Sequence, residues 1–293
     1  MKITFADTRP RGSYALAIPV RGEDVLSDRL AGLDEGARTL AARSAEAQRF
    51  ERETAAAAET FISEGGDARR LLLVGLGSKA DADASFEKVG AALSAKLLTS
   101  GETRLVIDVG ALGIGADEAA RIGLGAAARA WRYDKYRTKL SKKQRPTLEE
   151  VVIVGTGDVN GAWGRYQALL DGLALARELV TEPANIVYPE TFVDRVRAQV
   201  EPLGGEIEVL DEKQMAELRM GALLGVGQGS IRPPRLLSIR WNGGGEAKPV
   251  VFVGKGITFD TGGISIKPAG GMEDMKYDMS GAAALMGATQ AMR

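Results

Sequence analysis

Val250-Val251-Phe252-Val253-Gly254-Lys255-Gly256-Ile257-Thr258-Phe259-Asp260-Thr261-Gly262-Gly263 opens the segment that decides the fold, and Ile264-Ser265-Ile266-Lys267 continues it. Four consecutive apolar residues predict a strand at Val250 to Val253, and Ile264 to Ile266 predicts a second, shorter one. Each run empties into glycine, lysine and aspartate. Further on, Met275-Lys276-Tyr277-Asp278-Met279 leads into Ser280-Gly281-Ala282-Ala283-Ala284, where Ser280 is expected to cap a helix. Apolar strands, charged turns and a helix start in this order describe an open α/β sheet, which gathers ligands beyond the ends of its strands.

Outward from there the same alternation recurs. Strands are predicted at Tyr14–Ile18, Leu71–Val74, Arg104–Val109 and Val151–Val154, separated by Ala-rich, helix-like stretches at 36–63, 84–98 and 116–130. An amphipathic helix from Trp163 to about Val180 ends at Thr181-Glu182-Pro183, because Pro183 cannot continue a helical ladder. Beyond it come a helix at Pro189–Val200, a strand at Ile207–Leu210, a helix at Glu212–Arg219 and a strand at Leu236–Trp241. The expected organisation is an N-terminal α/β domain at 1–162, a connecting helix at 163–182, and the first part of a second α/β domain at 183–293. The chain reaches Arg293 inside an Ala-rich helix without a capping residue, so the expectation is the front part of a longer polypeptide.

Composition removes whole classes of chemistry. Among 293 residues there is no cysteine and no histidine, which excludes disulfides, thiolate nucleophiles, Ser-His-Asp catalysis and any metal site built on imidazole or sulfur. Carboxylates, lysines, arginines, hydroxyls and backbone remain. With 38 basic against 39 acidic side chains, a net charge of -1 gives no global attraction to nucleic acid or anionic lipid. No apolar run approaches the length of a membrane span and no signal peptide opens the chain, which makes the cytoplasm the default location.

Three local patterns compete with the segment at 250–279. Gly254-Lys255 lacks the upstream glycine and the following Ser or Thr of a phosphate-binding P-loop. Gly75-Leu76-Gly77-Ser78-Lys79-Ala80 after a strand is a weak dinucleotide fingerprint, and a plain strand-to-helix turn accounts for it. Eight basic residues between Arg129 and Arg145, interleaved with Trp131, Tyr133 and Tyr136, have the composition of a nucleic-acid surface, but a solvated linker or subunit contact is the commoner outcome. The charged residues of 250–279 are also ambiguous one by one. Lys255 between two glycines is either an ordinary surface lysine or one partly enclosed enough to act as a ligand. Asp260 is either an Asx-turn residue or a metal ligand, Asp278 a ligand or a helix-dipole partner, and Lys267 an edge lysine or a catalytic one.

Taken together, Val253 to Gly263 and Met275 to Ala283 closely resemble the leucyl aminopeptidase family, the two-metal cytosol aminopeptidases. The likeness extends to Tyr133-Asp134-Lys135-Tyr136, to Glu182-Pro183-Ala184-Asn185 and to Met220 through Ser230. It implies a macrodomain-like N-terminal α/β domain followed by the start of an α/β two-metal aminopeptidase catalytic domain. It further implies that Lys255 and Asp278 ligate one divalent ion, manganese or zinc, and that Asp260 bridges two. Lys267 would face the substrate carbonyl as the catalytic and substrate-binding lysine, and Met275 would wall the side-chain pocket. The implied reaction removes leucine-like N-terminal residues from peptides with a free N-terminus, in a cytoplasmic homohexamer. The family also uses a bicarbonate held by an arginine in an Asn-Thr-Asp-Ala-Glu-Gly-Arg stretch. No such stretch occurs here, so the 293 residues by themselves are expected not to hydrolyse peptides. The alternatives from other classes are an ADP-ribose- or nucleotide-binding module, or a DNA-binding module, in the N-terminal half.

Overall fold

Alternation of side chains along four parallel strands builds the N-terminal core. The computed structural model describes all residues except Gly65, Lys79, Ala80, Asp81 and Arg293, together with the side chains of Ala82, Asp83 and Ala84. Contacts divide the chain into two units, Met1–Gln167 and Ala168–Arg293. In chain order the first contains β1 (Lys2–Ala6), β2 (Ala15–Val20), α1 (Leu26–Arg29), α2 (Glu35–Ala47), β3 (Ala57–Glu64), β4 (Asp67–Gly75), α3 (Ala82–Leu97), β5 (Arg104–Asp108), α4 (Ala116–Ala130) and β6 (Glu150–Val154). The helix α5 (Asn160–Thr181) begins in it and ends in the second unit.

The six strands order as β1-β6-β5-β2-β4-β3, and only β3 is antiparallel to its neighbour. Ala15, Ala17, Leu105, Ile107, Val151 and Ile153 face one core, which α3 and α4 cover. Leu16, Ile18, Val106, Val152 and Val154 face the other, under α2. Helices on both faces explain why these strands read as continuous apolar runs. Asp34 caps α2 by accepting the Ala37 N–H at 2.8 Å, a contact that contributes about 1 kcal/mol.

Two sequence expectations fail here for physical reasons. The helix-like stretch 36–63 splits into α2 and β3, because residues 57–64 pair along their whole length with β4 and the ladder overrides alanine's helical propensity. β1 is an additional strand that went unread, five residues paired with β6 at the opposite end of the unit's sequence. Its link to β2 is also unusual. Residues 7–14 must carry the chain from the sheet edge past β6 and β5 to a parallel strand, a crossing that normally takes a dozen residues or more. Arg9 pins this short strap by donating from Nε to Asp108 at 2.6 Å and from a terminal nitrogen to Glu64 at 3.1 Å.

The second unit contains α6 (Pro189–Val200), β7 (Glu206–Leu210), α7 (Glu212–Glu217), α8 (Gly221–Gly227), β8 (Leu236–Arg240) and α9 (Ser280–Ala291). Its core gathers Leu179, Val187, Phe192, Val196, Val200, Met279, Ala283 and Met286. β7 and β8 form an antiparallel pair. The strands predicted at Val250–Val253 and Ile264–Ile266 are not strands in this structure: a strand exists only as part of a ladder, and no described segment pairs with either run. None of the described helices is long and apolar enough to cross a membrane.

Glu59 on β3 connects sheet and helix by accepting from Arg70 at 2.6 Å and pairing with Lys96 of α3 at 2.7 Å. Burial alone would raise its pKa, but the hydrogen bonds and charges of Lys96 and Arg70 outweigh that and hold it below the ordinary carboxylate value. Its stabilising effect is therefore present above the unfolded-state pKa and lost as pH falls through the lower folded one. Glu59→Gln is expected to cost about 1 to 2 kcal/mol at neutral pH. Urea titrations at several pH values should show a shallower loss of stability for the variant than for the parent between about pH 5 and pH 3.

Candidate functional site

The backbone of Lys255 supplies the acceptor that starts α9. The Ala282 N–H, which has no partner inside the first turn of the helix, donates to the Lys255 carbonyl at 3.0 Å. Two glycines permit this approach. A Cβ on Gly254 would lie 2.8 Å from Ala282 N and Cα, and one on Gly281 would lie 3.1 Å from Lys255 N. Ser280 does not cap the helix as expected. The chain enters α9 from a 3-10 turn over Met272–Met279, and the Ser280 hydroxyl instead donates to the Tyr277 carbonyl.

This crossing brings the side chains together as well. Lys255 Nζ donates to Asp278 Oδ1 at 2.7 Å, across a separation of 23 residues. Asp278 follows from the burial of its neighbour: Met279 is completely enclosed in the core of the unit, which holds the end of the 3-10 turn in place. The other oxygen, Asp278 Oδ2, is buried and has no hydrogen-bond partner among the described residues.

A second pair forms on the loop between. Gly262 and Gly263 take left-handed conformations with φ of +90° and +67°, which turns the chain back so that Lys267 N donates to the Thr261 carbonyl at 2.9 Å. Residues 264–266 therefore form the arm of a turn. Lys267 Nζ then lies 3.0 Å from Asp260 Oδ2 and 2.9 Å from Met275 Sδ, while the Gly262 N–H donates to Asp260 Oδ1 at 2.9 Å. That N–H, then the Lys267 hydrogen bond, with the charge of Lys255 adding, hold the Asp260 carboxyl below its ordinary pKa. The hydrogen bond to Asp278, with the charge of Asp260 adding, holds the Lys255 amine above its own. Asp260 is thus anionic and Lys255 an ammonium at neutral pH.

All five residues singled out in the sequence, Lys255, Asp260, Lys267, Met275 and Asp278, enter these two contact groups. Of the glycines that allow the contacts, those flanking Lys255 were read as enclosing it, whereas Gly281 was not singled out. Their signal lay in the sequence, in the glycines flanking Lys255 and in Gly281 directly after Ser280. Among the described residues no three acidic, histidine or cysteine side chains come together.

The other patterns in the sequence resolve differently. Lys79 and Ala80 of the dinucleotide fingerprint lie outside the described residues. Within it, the N–H groups of Gly75, Leu76 and Gly77 donate to the carbonyls of Ala56, Val20 and Arg52 at 2.8, 2.9 and 3.0 Å, so these three amides are not free to cradle a pyrophosphate. Of the basic stretch, Arg132 pairs with Asp134 at 2.6 Å, and Trp131 stacks on Tyr133 with ring centroids 6.1 Å apart.

Residues 17–140 match the family model described as the cytosol aminopeptidase family, N-terminal domain, and residues 174–293 match that family's catalytic domain. The chain belongs to the cytosol aminopeptidase family. A probable cytosol aminopeptidase of Caulobacter vibrioides is 41% identical over 299 aligned positions, covering 100% of this chain and 60% of the relative. One of Chelativorans is 44% identical over 251, covering 84% of this chain and 50% of the relative. The chain thus spans half to three-fifths of the length of these curated relatives. A bottromycin maturation enzyme solved in complex with manganese superposes with a TM-score of 0.73 at 28% identity, covering 96% of this chain and 56% of that one. A tomato leucine aminopeptidase variant shares the fold, with a TM-score of 0.76 at 24% identity, over 100% of this chain and 59% of that one. Family membership gives no support to the reading of the N-terminal half as a nucleotide-binding module.

Because the atoms a Gly254 methyl would meet are backbone, the contact cannot be relieved by a rotamer change. Gly254→Ala is expected to destabilise the second unit by about 1 to 3 kcal/mol. Hydrogen exchange should localise the loss to the amides of α9, with those of β2 and β5 in the first unit unchanged.

Proposed function

We propose that this chain carries the N-terminal domain and the opening part of the metal and substrate site of an aminopeptidase that removes the first residue of peptides with a free N-terminus. The observation that carries it is the convergence of Lys255 with Asp278 and of Lys267 with Asp260 inside the stretch that matches the family's catalytic domain. Asp260, Asp278 and Lys255, the last only after it gives up its ammonium proton, would hold the divalent ion, and the unpartnered, buried Asp278 Oδ2 is the acceptor such an ion would satisfy. Oxygen and amine donors without sulfur suit manganese or zinc, in keeping with the manganese of the bottromycin enzyme. When bound, the ion supplies an activated water and a polarised carbonyl.

The rest is done by side chains. Lys267, fixed between Asp260 and Met275, would donate from its ammonium to the oxygen that gains charge as the peptide carbonyl is attacked. Met275 would line the pocket for the leaving N-terminal side chain, its flexible thioether accommodating leucine-like shapes. Two carboxylates and one amine are too few donors for a pair of adjacent cations, so the 293 residues alone are inactive. The complete enzyme would act in the cytoplasm as a homohexamer.

The test uses the product of the complete reading frame on leucine p-nitroanilide. Activity should require manganese or zinc, disappear on chelation and be absent with N-acetyl-leucine p-nitroanilide. Lys267→Ala should lower kcat about a hundredfold or more. Activity that survives chelation, or cleavage of the blocked substrate, would refute the reading.

A further inference from the structure

The sheet of the first unit ends on β3, an eight-residue strand with no further strand beside it among the described residues. Such an edge presents a row of free main-chain donors and acceptors with which another strand can pair. In an antiparallel ladder only alternate residues exchange both hydrogen bonds with the partner strand, and the others direct theirs outward. Glu59 shows which set is which. The Gln48 side chain accepts from the Glu59 N–H at 3.1 Å and donates from Nε2 to the Glu59 carbonyl at 2.9 Å, so Glu59 faces away from β4. By alternation Ala57, Phe61 and Ser63 face outward as well.

Gln48 closes α2, and its Nε2 also donates to the Ser44 carbonyl at 3.1 Å, so one amide finishes a helix and imitates a strand. It cuts Ala57 off from the rest of the edge. On its other side Phe61 and Ser63 form two adjacent open rungs, and no hydrogen bond among the described residues engages their main-chain groups on this side. Phe61 is 59% exposed, with the Arg70 guanidinium 5.9 Å from its ring centroid.

The two rungs match one occupant. Set antiparallel to a second copy of itself with Phe61 opposite Ser63, β3 exchanges four main-chain hydrogen bonds about a two-fold axis and uses every open group of both rungs. Glu59 then lies opposite a position past Glu64, beyond the end of the other copy's strand, and Gln48 stays where it is. A slide of two residues, to Phe61 opposite Phe61, would drive Ser63 of one copy against the guarded Glu59 of the other. The two-fold also sets the Phe61 rings diagonally across the pair on one face, within reach of each other. The strand's two carboxylates are already neutralised, Glu59 by Arg70 and Lys96 and Glu64 by Arg9 and Arg69, so the two edges do not repel.

We propose that the open end of the β3 edge is a self-association surface, on which two copies of this chain pair antiparallel through Phe61 and Ser63 in a register that Gln48 enforces. A foreign extended peptide would gain the two rungs alone, whereas a second copy brings the matching ring as well. The contact is smaller than a standard interface, so the dimer is weak and reversible. This surface belongs to the first unit and is independent of the assigned activity.

Sedimentation of the full 293-residue chain from about 5 to 500 µM should show reversible monomer–dimer exchange. The Phe61 and Ser63 amides, fast-exchanging at the lowest concentration, should become protected at the highest. Ser63→Pro deletes one outward N–H and spares the β4 ladder, which runs through Ile62 and Glu64. It should keep the parent's melting temperature and weaken the dimer at least about tenfold, whereas Ser63→Ala, which retains the N–H, should pair like the parent. Gln48→Ala removes the guard, admits a third rung in the Phe61-to-Phe61 register and should tighten the dimer about tenfold. If Ser63→Pro lowers the melting temperature, Phe61→Lys, which changes an exposed side chain and sets like charges across the axis, should weaken the dimer in its place. A chain that stays monomeric throughout would overturn the proposal, as would association equal in the parent and these variants. Slow exchange of both amides at the lowest concentration would show the edge covered within one chain and overturn it too.

Discussion

The hydrogen bond from the Ala282 amide to the Lys255 carbonyl is the constraint on which the site depends. One bond joins the start of a helix to the end of an extended run, and its two flanking glycines are there because any larger residue would force the backbones apart. Once those backbones touch, a four-carbon lysine stem and a short aspartate reach each other without strain. The second pair is built by a separate device, a turn of two left-handed glycines, and is joined to the first by the electrostatic influence of Asp260 on Lys255. Backbone geometry therefore sets the positions, and the charges follow.

The two units differ in how their apolar surface is used. The first closes both faces of its six-stranded sheet, and its one buried cation among the described residues is Arg29 of α1, which donates twice to the Pro19 carbonyl of β2. The second has one modest core around α5, α6 and α9, stapled by Arg195 on the fully buried Glu182 at 3.1 Å. Only the carboxylate of this pair is fully buried, Arg195 being partly exposed and shared with Glu178 at 2.8 Å. Most of the chain's exposed large apolar side chains lie in the second unit, where the site is also found.

Much of this was legible in the residues themselves. Apolar alternation located β2, β5 and β6 and the helices α4 and α6 within a residue or two, because those elements bury both faces or one clear stripe, and found the buried half of β4, which begins four residues earlier at Asp67. β3 was not legible, since Ala57-Ala58-Glu59 reads as helix until a partner strand is known, and β1 was too short to announce a pairing made 148 residues away. The runs at 250–253 and 264–266 have strand composition without a strand's partners, which shows that propensity describes what a segment tolerates and pairing decides what it becomes. Of the site, the lysines and aspartates stood out by type and context. Gly281 did not, because a close backbone approach has no signature until the approaching backbone is known.

The pairing of Lys2–Ala6 with Glu150–Val154 has a consequence for biogenesis. As the nascent chain leaves the ribosome, its first strand has nowhere to go until β6 emerges, which at ordinary elongation rates is roughly 7 to 30 seconds later. During that interval β2, β4 and β5 can already assemble, so β1 must arrive last, drawing the Arg9 strap over a face that is otherwise finished. β1 is thus the closing stitch of its domain, and a change that blocks its pairing would act on maturation of the nascent protein before it acted on anything the mature molecule does.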